Sequence, residues 1–511
     1  MKRVLKPILA TSIILAALTA GTFYFLTKGG GSSNAFENRI TKEQSDQSAD
    51  RAYRYDMDEN SVELKNSGDG KNVLNFDENG SYSVDASKKV SERLGRLIKR
   101  LDADFQHPII AADPYGTNPG SFYFYFKLST KGMIRYTVTV KDESVPDLVR
   151  YVDNGQEDNL GEVQEFTVSG LVPGQTNYIV MQVLDSQGAE REKIVYKYTM
   201  PASKAPSKIR AGKGHSRDES ENGLYAVFPS GDKNIYLYDN QGILRNTTRT
   251  ESEHGRRLYQ SGDQVLYQIA PTRIARVGAT GKVTGVAQVS KTKKIKDFSY
   301  DGYDHVYSLV TVKGRDRIFS TSFQSGQTTL VYAFPKGVKI ASLSEPKAGS
   351  MYLTGDSPSG LLKLDAIAGV KPVLINLYGS KKAWKKYGLK KKVWEDGTAS
   401  RWGTTGSVLA LNETKDGYTL FVEQAGRKTA VAVNTDEKNK KVKVKANFPI
   451  GIKGNCLCIQ RGSHYIMADT AAGNFAEYDI KGRTTMEYGY GGAIDGIAKV
   501  TLDGMCFYKA Q

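Results

Sequence analysis

The fold of this chain is decided by Gly454–Tyr488, GNCLCIQRGSHYIMADTAAGNFAEYDIKGRTTMEY. A short strand and a turn are followed by a second strand that ends at Ala468-Asp469. The motif AEYD, a tight turn at Ile480–Gly482 and a last strand complete the stretch. Short alternating runs bounded by Gly, Ser and Asp are typical of antiparallel strands. The stretch therefore predicts one complete antiparallel blade.

The same pattern of short strands and Gly, Asp or Asn turns continues over residues 223–511. Turns that contain aspartate recur at Asp239–Gly242, Asp301–Asp304, Asp416–Gly417 and Asp479–Gly482. This weak repeat of about 40 residues indicates an all-β domain, a β-propeller of about six blades. The strands Ile497–Leu502 and Met505–Lys509 are too few for a further blade. We expect them to complete a blade that begins near Leu224, because such closure removes exposed sheet edges.

Residues 104–200 are predicted to form a fibronectin type III or immunoglobulin-like sandwich. Alternating strands are expected at Phe122–Leu128, Arg135–Val140, Glu165–Val168 and Ile179–Val183. The run LVPGQTNY places Tyr178 after a Pro-Gly turn, before the last of these strands. A tyrosine at such a corner bonds to upstream backbone in related sandwiches, so we expect the Tyr178 hydroxyl to tie this corner. Residues 201–222 are predicted to be a linker, because they are rich in Pro, Ser, Lys and Gly.

Residues 29–103 are predicted to be a polar stalk followed by one amphipathic helix. The helix is expected over Asp85–Leu101. One face of this segment carries Val90, Leu94, Leu97 and Leu101. That face suits a membrane surface or, as we favour, the next domain. Within the stalk, Ser61–Leu64 and Val73–Phe76 are strand-like, and a small docked hairpin is the alternative there.

The N-terminus predicts a membrane anchor. Three basic residues precede an uncharged run from Pro7 to Thr27. About 20 helical residues cross a hydrocarbon core of about 30 Å. Because flanking positive charge stays cytoplasmic, we expect residues 1–28 to form a cytoplasmic tip and a single-pass anchor, with the C-terminal ectodomain outside the cytoplasm. A cleaved signal peptide is the alternative, but Leu18 breaks the small-residue pattern that cleavage after Ala20 requires.

The chain has 511 residues, of which 39% are hydrophobic, and a formal net charge of +16. A basic exported surface suits an anionic small molecule, lipid head groups or an anionic cell-surface polymer. The charge is not accompanied by a nucleic-acid-binding motif, so we expect no nucleic-acid partner. Protein partners stay open, and no cofactor is expected.

Three cysteines cannot form a disulfide framework. Cys456 and Cys458 alternate on one strand, so both point to one face, and Cys506 follows much later. Either Cys506 bridges to one of them or, as we favour, all three are buried thiols. The Cys-x-Cys spacing has no His or carboxylate companion, so no metal site is expected.

The stretch Gly454–Tyr488 resembles the blade that carries the catalytic histidine in bacterial aryl-sulfate sulfotransferases. That blade has a histidine near the start of its first strand and a second strand that ends in aspartate, as at Asp469 here. Ala112–Pro119, ADPYGTNP, resembles the entrance to the N-terminal sandwich of the same family. The resemblance covers about residues 104–511. It implies an immunoglobulin-like domain followed by a six-bladed propeller with a ligand site at its channel.

In that family the histidine takes the sulfuryl group from a phenolic sulfate, and other residues neutralise the sulfate oxygens. The positions that match the family's nucleophile, second histidine, asparagine, arginine and remaining histidine hold Asn455, Thr404, Gly406, Glu423 or Gln424, and Lys296. Of these replacements only Lys296 still suits an anion, so we expect no catalytic residue. The residues expected to bind a ligand are Lys296, Trp402, Ser407, Arg427 and Asn455.

The favoured interpretation is a bacterial, membrane-anchored, extracytoplasmic pseudoenzyme that acts as a binding or scaffold protein at the cell surface. An amide at position 455 is not a nucleophile, and losing the covalent catalyst removes the reaction path. One alternative is an active aryl-sulfate sulfotransferase that uses another nucleophile. Another is an extracytoplasmic propeller that shares only blade geometry with the family.

The histidines offer no replacement site. They are His107, His215, His254, His305 and His464. None has a partner at the spacing of a metal site or a triad, so each is interpreted as an ordinary surface or strand histidine.

The densest basic segment is Gly379–Gly397, GSKKAWKKYGLKKKVWEDG. Seven lysines interleave there with Trp384, Tyr387 and Trp394. The segment either grips an anionic polymer or lipid head group, caps the channel as a lid, or is a solvated insertion between blades.

Overall fold

The computed structural model shows an all-β architecture, with two helices among the residues that it describes. It describes residues 57–58, 60–65, 72–76, 82–152, 159–212, 223–252, 254–368, 371–379, 381–389, 408–414, 417–424, 429–436, 439, 441–449, 456–461, 464–479 and 483–500. Within these ranges, no helix is both long and apolar enough to cross a bilayer. The predicted anchor over residues 1–28 lies outside the described residues.

The predicted sandwich is confirmed. Its strands are β1 (Ser61–Glu63), β2 (Ile109–Ala112), β3 (Phe122–Val140), β4 (Leu148–Tyr151), β5 (Gly161–Val168), β6 (Thr176–Leu184) and β7 (Glu190–Thr199). They pair in the order β1-β7-β6-β3-β2, and β4 and β5 also pair with β3.

Strand β3 corrects the predicted pair of separate strands, Phe122–Leu128 and Arg135–Val140. It is one strand of 19 residues. Its first half pairs with β2 and β5, and its second half pairs with β4 and β6. The register breaks between Lys127 and Gly132. A Cβ at Gly132 would stand 2.9 Å from Val183 Cγ1, so the bend needs glycine.

The corner before β6 is tied by Asn177, and the prediction for Tyr178 is wrong. Asn177 Oδ1 accepts from Val172 N at 2.7 Å, and Asn177 Nδ2 donates to Val172 O and Gln175 O, both at 3.0 Å. The Tyr178 hydroxyl instead donates to Asp58 Oδ1 at 2.6 Å. Tyr178 therefore holds the segment that carries β1.

The two strand-like stalk pieces dock on the sandwich without pairing as a hairpin. Ser61–Glu63 pairs with β7 in parallel, and Leu74 forms a bridge with Ala111. Asn72 joins the pieces, since its amide donates to Glu63 O at 2.7 Å.

The predicted amphipathic helix is α1, Val84–Arg100. The Ser83 side chain caps its N-terminus by accepting from Ala86 N at 3.3 Å. Val90 and Leu94 are buried in a cluster with sandwich residues. The apolar face therefore packs against the next domain, as favoured over a membrane surface.

The propeller domain consists of five four-stranded sheets and one five-stranded sheet. The first three sheets contain β9 (Leu224–Pro229), β10 (Asn234–Tyr238), β11 (Leu244–Arg249) and β32 (Ile494–Val500); β12 (Leu258–Ser261), β13 (Gln264–Ala270), β14 (Arg273–Gly278) and β15 (Val283–Gln288); and β16 (Ile295–Tyr300), β17 (His305–Val312), β18 (Arg315–Ser322) and β19 (Thr328–Ala333).

The fourth sheet is followed by a short helix, α2 (Lys381–Lys385). The last three sheets contain β20 (Lys339–Leu343), β21 (Met351–Ser357), β22 (Ser359–Asp365) and β23 (Val373–Gly379); β24 (Val408–Thr414), β25 (Gly417–Gln424), β26 (Thr429–Asp436) and β27 (Lys441–Pro449); and β28 (Cys456–Arg461), β29 (His464–Asp469), β30 (Asn474–Tyr478), β31 (Thr484–Gly489) and β8 (Arg210–Ala211). The predicted count of about six blades corresponds to these sheets.

The ring closes by a strand from the C-terminal part of the chain. Strand β32 pairs antiparallel with β9, so Val500 lies opposite Leu224. The sheet that begins at Leu224 is thus completed as predicted, and the expected strand Met505–Lys509 lies outside the described residues. Part of the predicted linker also joins the propeller, since β8 pairs with β31.

The aspartate turns have the geometry that their sequence predicts, because a carboxylate that accepts nearby N–H groups stabilises a tight turn. Asp239 Oδ1 accepts from Gln241 N and Ile243 N, both at 2.9 Å. Asp301 and Asp479 accept backbone N–H groups in the same way. The turn at Asp416 lies outside the described residues.

Sandwich and propeller share one hydrophobic core cluster. Polar contacts add to it: Thr117 Oγ1 donates to Gly281 O at 2.7 Å, and Arg245 Nη2 donates to Pro146 O at 2.6 Å. Helix α1 joins both domains, because Ser87 Oγ accepts from Val283 N at 3.0 Å.

Candidate functional site

The innermost strands of the propeller surround its channel. In ring order they are β32, β12, β16, β20, β24 and β28. Neighbouring members contact one another, as β16 does with β20 and β28 with β32. Because each sheet is an antiparallel meander, the loops that enter these strands and the turns between second and third strands lie at one end. We call this end the entrance face, where propellers bind ligands.

Arg257, directly before β12, links three innermost strands. Arg257 Nε lies 2.8 Å from Asp297 Oδ1 of β16. Its Nη1 donates to the Tyr259 hydroxyl at 3.0 Å, and its Nη2 donates to Ser342 Oγ of β20. Asp297 Oδ2 also accepts from Leu343 N at 2.9 Å. We call Arg257, Tyr259, Asp297 and Ser342 the channel clamp.

The charge of Arg257 in the channel clamp is paired with that of Asp297. Burial opposes the charge on Arg257, but Asp297 outweighs it and raises the pKa of the guanidinium above its usual range. Burial also raises the pKa of Tyr259 to about 12. The guanidinium is therefore charged and the phenol neutral at physiological pH. Such a pair holds the inner strands together and offers no nucleophile.

Lys296, the predicted anion-binding lysine, lies beside the channel clamp at the start of β16. Its Nζ lies 2.8 Å from Asp316 Oδ2 and donates to Ile340 O at 3.1 Å. Lys339 Nζ lies 3.9 Å from Asp316 Oδ1. Asp316 is fully buried, whereas the lysine side chains are 35% and 38% exposed.

Lys296, Lys339 and Asp316 together carry a net positive charge. Burial opposes ionisation of Asp316, but hydrogen bonds from Lys296, Thr311 and Ile340 N hold the pKa of its carboxyl below the usual range. One carboxylate is therefore shared by two ammonium groups that solvent reaches, so the pair retains positive charge for an anion.

The other sequence-predicted site residues are not placed. Those outside the described residues are Thr404, Gly406, Trp402, Ser407, Arg427 and Asn455. Glu423 and Gln424 end strand β25, and only their backbone is described. Their roles stay predictions.

Two of the histidines interpreted as ordinary surface or strand residues are buried. His254 lies in the loop that enters β12, with Nε2 2.9 Å from Pro229 O and Nδ1 3.1 Å from Gly255 O. His464 begins β29, with Nδ1 3.1 Å from Glu477 Oε1. His107 is exposed on a loop and His305 is exposed at the start of β17, and each lies near an aspartate; His215 lies outside the described residues. Both buried rings therefore face protein oxygen atoms.

Sequence reasoning missed a buried charge cluster between the last and first sheets. Lys499 Nζ of β32 lies 2.7 Å from Glu477 Oε2 of β30, and both side chains are fully buried. The Tyr225 hydroxyl of β9 hydrogen-bonds with both groups, and Lys499 Nζ lies 4.4 Å from the centre of its ring. The available signal was a charged residue within an apolar strand, as in Phe475–Tyr478. We call Tyr225, Glu477 and Lys499 the closure cluster.

No metal site emerges from the described part of the chain, which lacks a group of three or more His, Cys, Asp or Glu side chains that could hold an ion. The side chains of Cys456 and Cys458 and all of Cys506 lie outside the described residues.

The densest basic segment is anchored on the fourth sheet. Trp384 in α2 is fully buried in the cluster that contains β21 and β22 residues. Lys382, Lys385 and Lys386 are exposed. The first half of the segment is therefore a fixed insertion on the entrance face, and residues 390–397 lie outside the described residues.

The comparison with protein families matches the sandwich. Residues 109–201 match the family model described as the arylsulfotransferase Ig-like domain. Together with the propeller that follows, this match supports an arylsulfotransferase-like family.

Similarity to solved structures is distant. A protein of unknown function from Bacteroides caccae is 11% identical, covers 55% of this chain and 99% of its own, and has a TM-score of 0.38. A putative 6-phosphogluconolactonase from Bacteroides uniformis is 12% identical, with 72% and 99% covered and a TM-score of 0.37. An auxiliary nutrient binding protein from Bacteroides ovatus is 10% identical, with 72% and 82% covered and a TM-score of 0.33. No curated protein matches the chain.

Proposed function

We propose that this protein is a membrane-anchored, extracytoplasmic binding protein built on the arylsulfotransferase plan. It holds an aryl sulfate or a similar small anion at the entrance face and does not transfer the sulfuryl group. The observation that carries the proposal is the pair Lys296 and Lys339, which share the buried carboxylate of Asp316 and are partly exposed.

The lack of transfer rests on the groups around the channel. In the family that the chain resembles, sulfuryl transfer through the protein uses a histidine nitrogen that faces the substrate. The position that resembles the family's nucleophile is Asn455. The buried His254 ring faces two carbonyl oxygens, and the His464 ring faces Glu477. The arginine of the channel clamp is already paired with Asp297.

We expect Lys339→Met to weaken binding of 4-nitrophenyl sulfate about five- to tenfold at low salt, because it removes the unbalanced positive charge. The Lys296–Asp316 pair at 2.8 Å remains in this variant, so the fold should be kept. Isothermal titration calorimetry of the full-length protein measures the affinity.

The double variant Lys296→Met/Asp316→Asn removes the other lysine together with its carboxylate, so the net charge stays constant. A comparable loss of affinity is expected if Lys296 contacts the anion. Lys88→Met on the exposed side of α1 is the matched control for charge. Equal affinity in the parent protein, Lys339→Met and the double variant would refute this site.

A further inference from the structure

We propose that a basic ridge on the entrance face, made of Lys313, Arg315, Lys336, Lys385 and Lys386, binds a linear polymer that carries a phosphate in every repeat. The ridge adjoins the lysine pair proposed to hold a small anion but shares no residue with it. All five side chains belong to exposed residues. Among the described residues, none of the five takes part in an ion pair.

The backbone geometry at Lys313 exposes its side chain. Lys313 and Gly314 have φ of 50° and 72° and join β17 to β18, with Val312 opposite Arg315. Two successive residues with positive φ are typical of a type I′ hairpin turn, which exposes its central side chains.

Lys336 occupies a second tight turn. Val338 N donates to Pro335 O at 3.0 Å, and Gly337 has φ of 89°. This is the pattern of a type II turn with Lys336 at its first central position. Lys336 is therefore held at the surface by the turn.

Two hydrogen bonds join these turns and the basic insertion into one surface. Lys339 Nζ donates to Gly314 O at 3.5 Å, which places the turn of Lys313 beside the loop that enters β20. The Tyr387 hydroxyl donates to Gly337 O at 3.4 Å, and Lys386 Nζ lies 5.7 Å from the centre of the Tyr387 ring. The buried Trp384 fixes this insertion. The ridge thus spans the third and fourth sheets and the insertion that follows them.

The charge on the ridge is nearly uncompensated. On the described turns of the third and fourth sheets at this face, Asp356 is the exposed carboxylate, and Asp316 is buried beneath Lys296 and Lys339. Five cations over three separate segments exceed what one small anion can contact. They suit an extended chain with regularly repeated charge.

The side-chain chemistry favours phosphate over a membrane. Lysine binds phosphate as a point charge on a flexible stem, and the N–H fork of Arg315 suits phosphate as it does carboxylate. Insertion into a bilayer needs exposed apolar or aromatic side chains. The large hydrophobic residues that are exposed in the described chain are Val62, Val84, Leu101, Val163, Tyr303, Leu330 and Val373. They belong to the sandwich side, to the outer strands β19 and β23, or, for Tyr303, to a turn at the opposite end of the propeller.

The test uses full-length protein and fluorescein-labelled polyphosphate, with binding followed by fluorescence anisotropy. The ridge variant is Lys313→Asn/Lys336→Gln/Lys386→Gln, in which asparagine tolerates the left-handed backbone at position 313. The matched control is Lys88→Gln/Lys89→Gln/Lys99→Gln on the exposed side of α1, which lowers the net charge equally. We expect the ridge variant to lose about tenfold or more in affinity, the control to change less than about twofold, and parent affinity to fall steeply with salt.

Equal losses in the ridge and control variants would overturn the proposal, because they would show attraction by net charge alone. It would also be overturned if the ridge variant kept polyphosphate binding but lost retention on phosphatidylglycerol vesicles. The proposal of a polymer ligand would also be overturned if inorganic phosphate, at equal phosphate concentration, displaced polyphosphate completely. The variant leaves Lys296 and Lys339 in place, so binding of 4-nitrophenyl sulfate tests the small-anion site independently.

Discussion

Lys499→Met is expected to lower the free energy of unfolding by about 3–5 kcal/mol, because it removes the ammonium that neutralises the buried Glu477 carboxylate. Both charged side chains of the closure cluster are fully buried, with Lys499 Nζ 2.7 Å from Glu477 Oε2. Lys499 also lies on β32, the strand that closes the ring against β9. The substitution should therefore weaken the junction that closes the propeller. Urea unfolding followed by intrinsic fluorescence measures the shift in midpoint.

The double variant Lys499→Met/Glu477→Gln should recover most of this stability. It removes the carboxylate charge together with the ammonium, and the glutamine oxygen still accepts from the Tyr225 hydroxyl. Lys88→Met, an exposed lysine on α1, is the control and should unfold at the parent midpoint within error. A Lys499→Met protein as stable as its parent would show that the closure cluster does not stabilise the ring.

Arg257→Met is expected to destabilise the protein by a similar amount, about 3–5 kcal/mol. The Arg257 guanidinium contacts all three other members of the channel clamp. The side chains of Arg257 and Asp297 are 8% and 7% exposed. Without it, Asp297 keeps only the Leu343 N–H at 2.9 Å among the contacts described above. Thermal unfolding of the full-length protein measures the effect.

Arg257→Lys should restore only part of the loss, because one ammonium cannot replace donors that reach Asp297, Tyr259 and Ser342 together. The double variant Arg257→Met/Asp297→Asn removes both charges and should be more stable than Arg257→Met. Arg96→Met on the exposed face of α1 is the matched control. If Arg257→Met and Arg96→Met unfold at the same temperature, the channel clamp is not a structural link between the inner strands.

Local chemistry made much of the fold predictable. The aspartate of a tight turn accepts N–H groups from its own next few residues, so Asp239, Asp301 and Asp479 were identifiable one turn at a time. Helix α1 was predictable because Val90 and Leu94 repeat at helical spacing. The continuity of β3 was not, since its bend at Gly132 depends on close approach to Val183 in another strand.

The candidate site was less predictable, because its contacts join residues that are distant in sequence. Arg257, Asp297 and Ser342 meet only when three sheets stand side by side around the channel. Lys499 meets Glu477 only after ring closure. Position and charge of Lys296 followed from the resemblance, but its shared carboxylate, Asp316, lies on a different strand and had no sequence signal.

The most direct test of the central claim, binding without transfer, is a turnover assay with full-length protein, 4-nitrophenyl sulfate and a phenol acceptor. We predict release of 4-nitrophenolate no faster than in a protein-free control, under conditions in which calorimetry detects binding of the sulfate ester. The contradicting result would be turnover above that background which disappears in Lys296→Met/Asp316→Asn, since it would show an active sulfotransferase that uses another nucleophile.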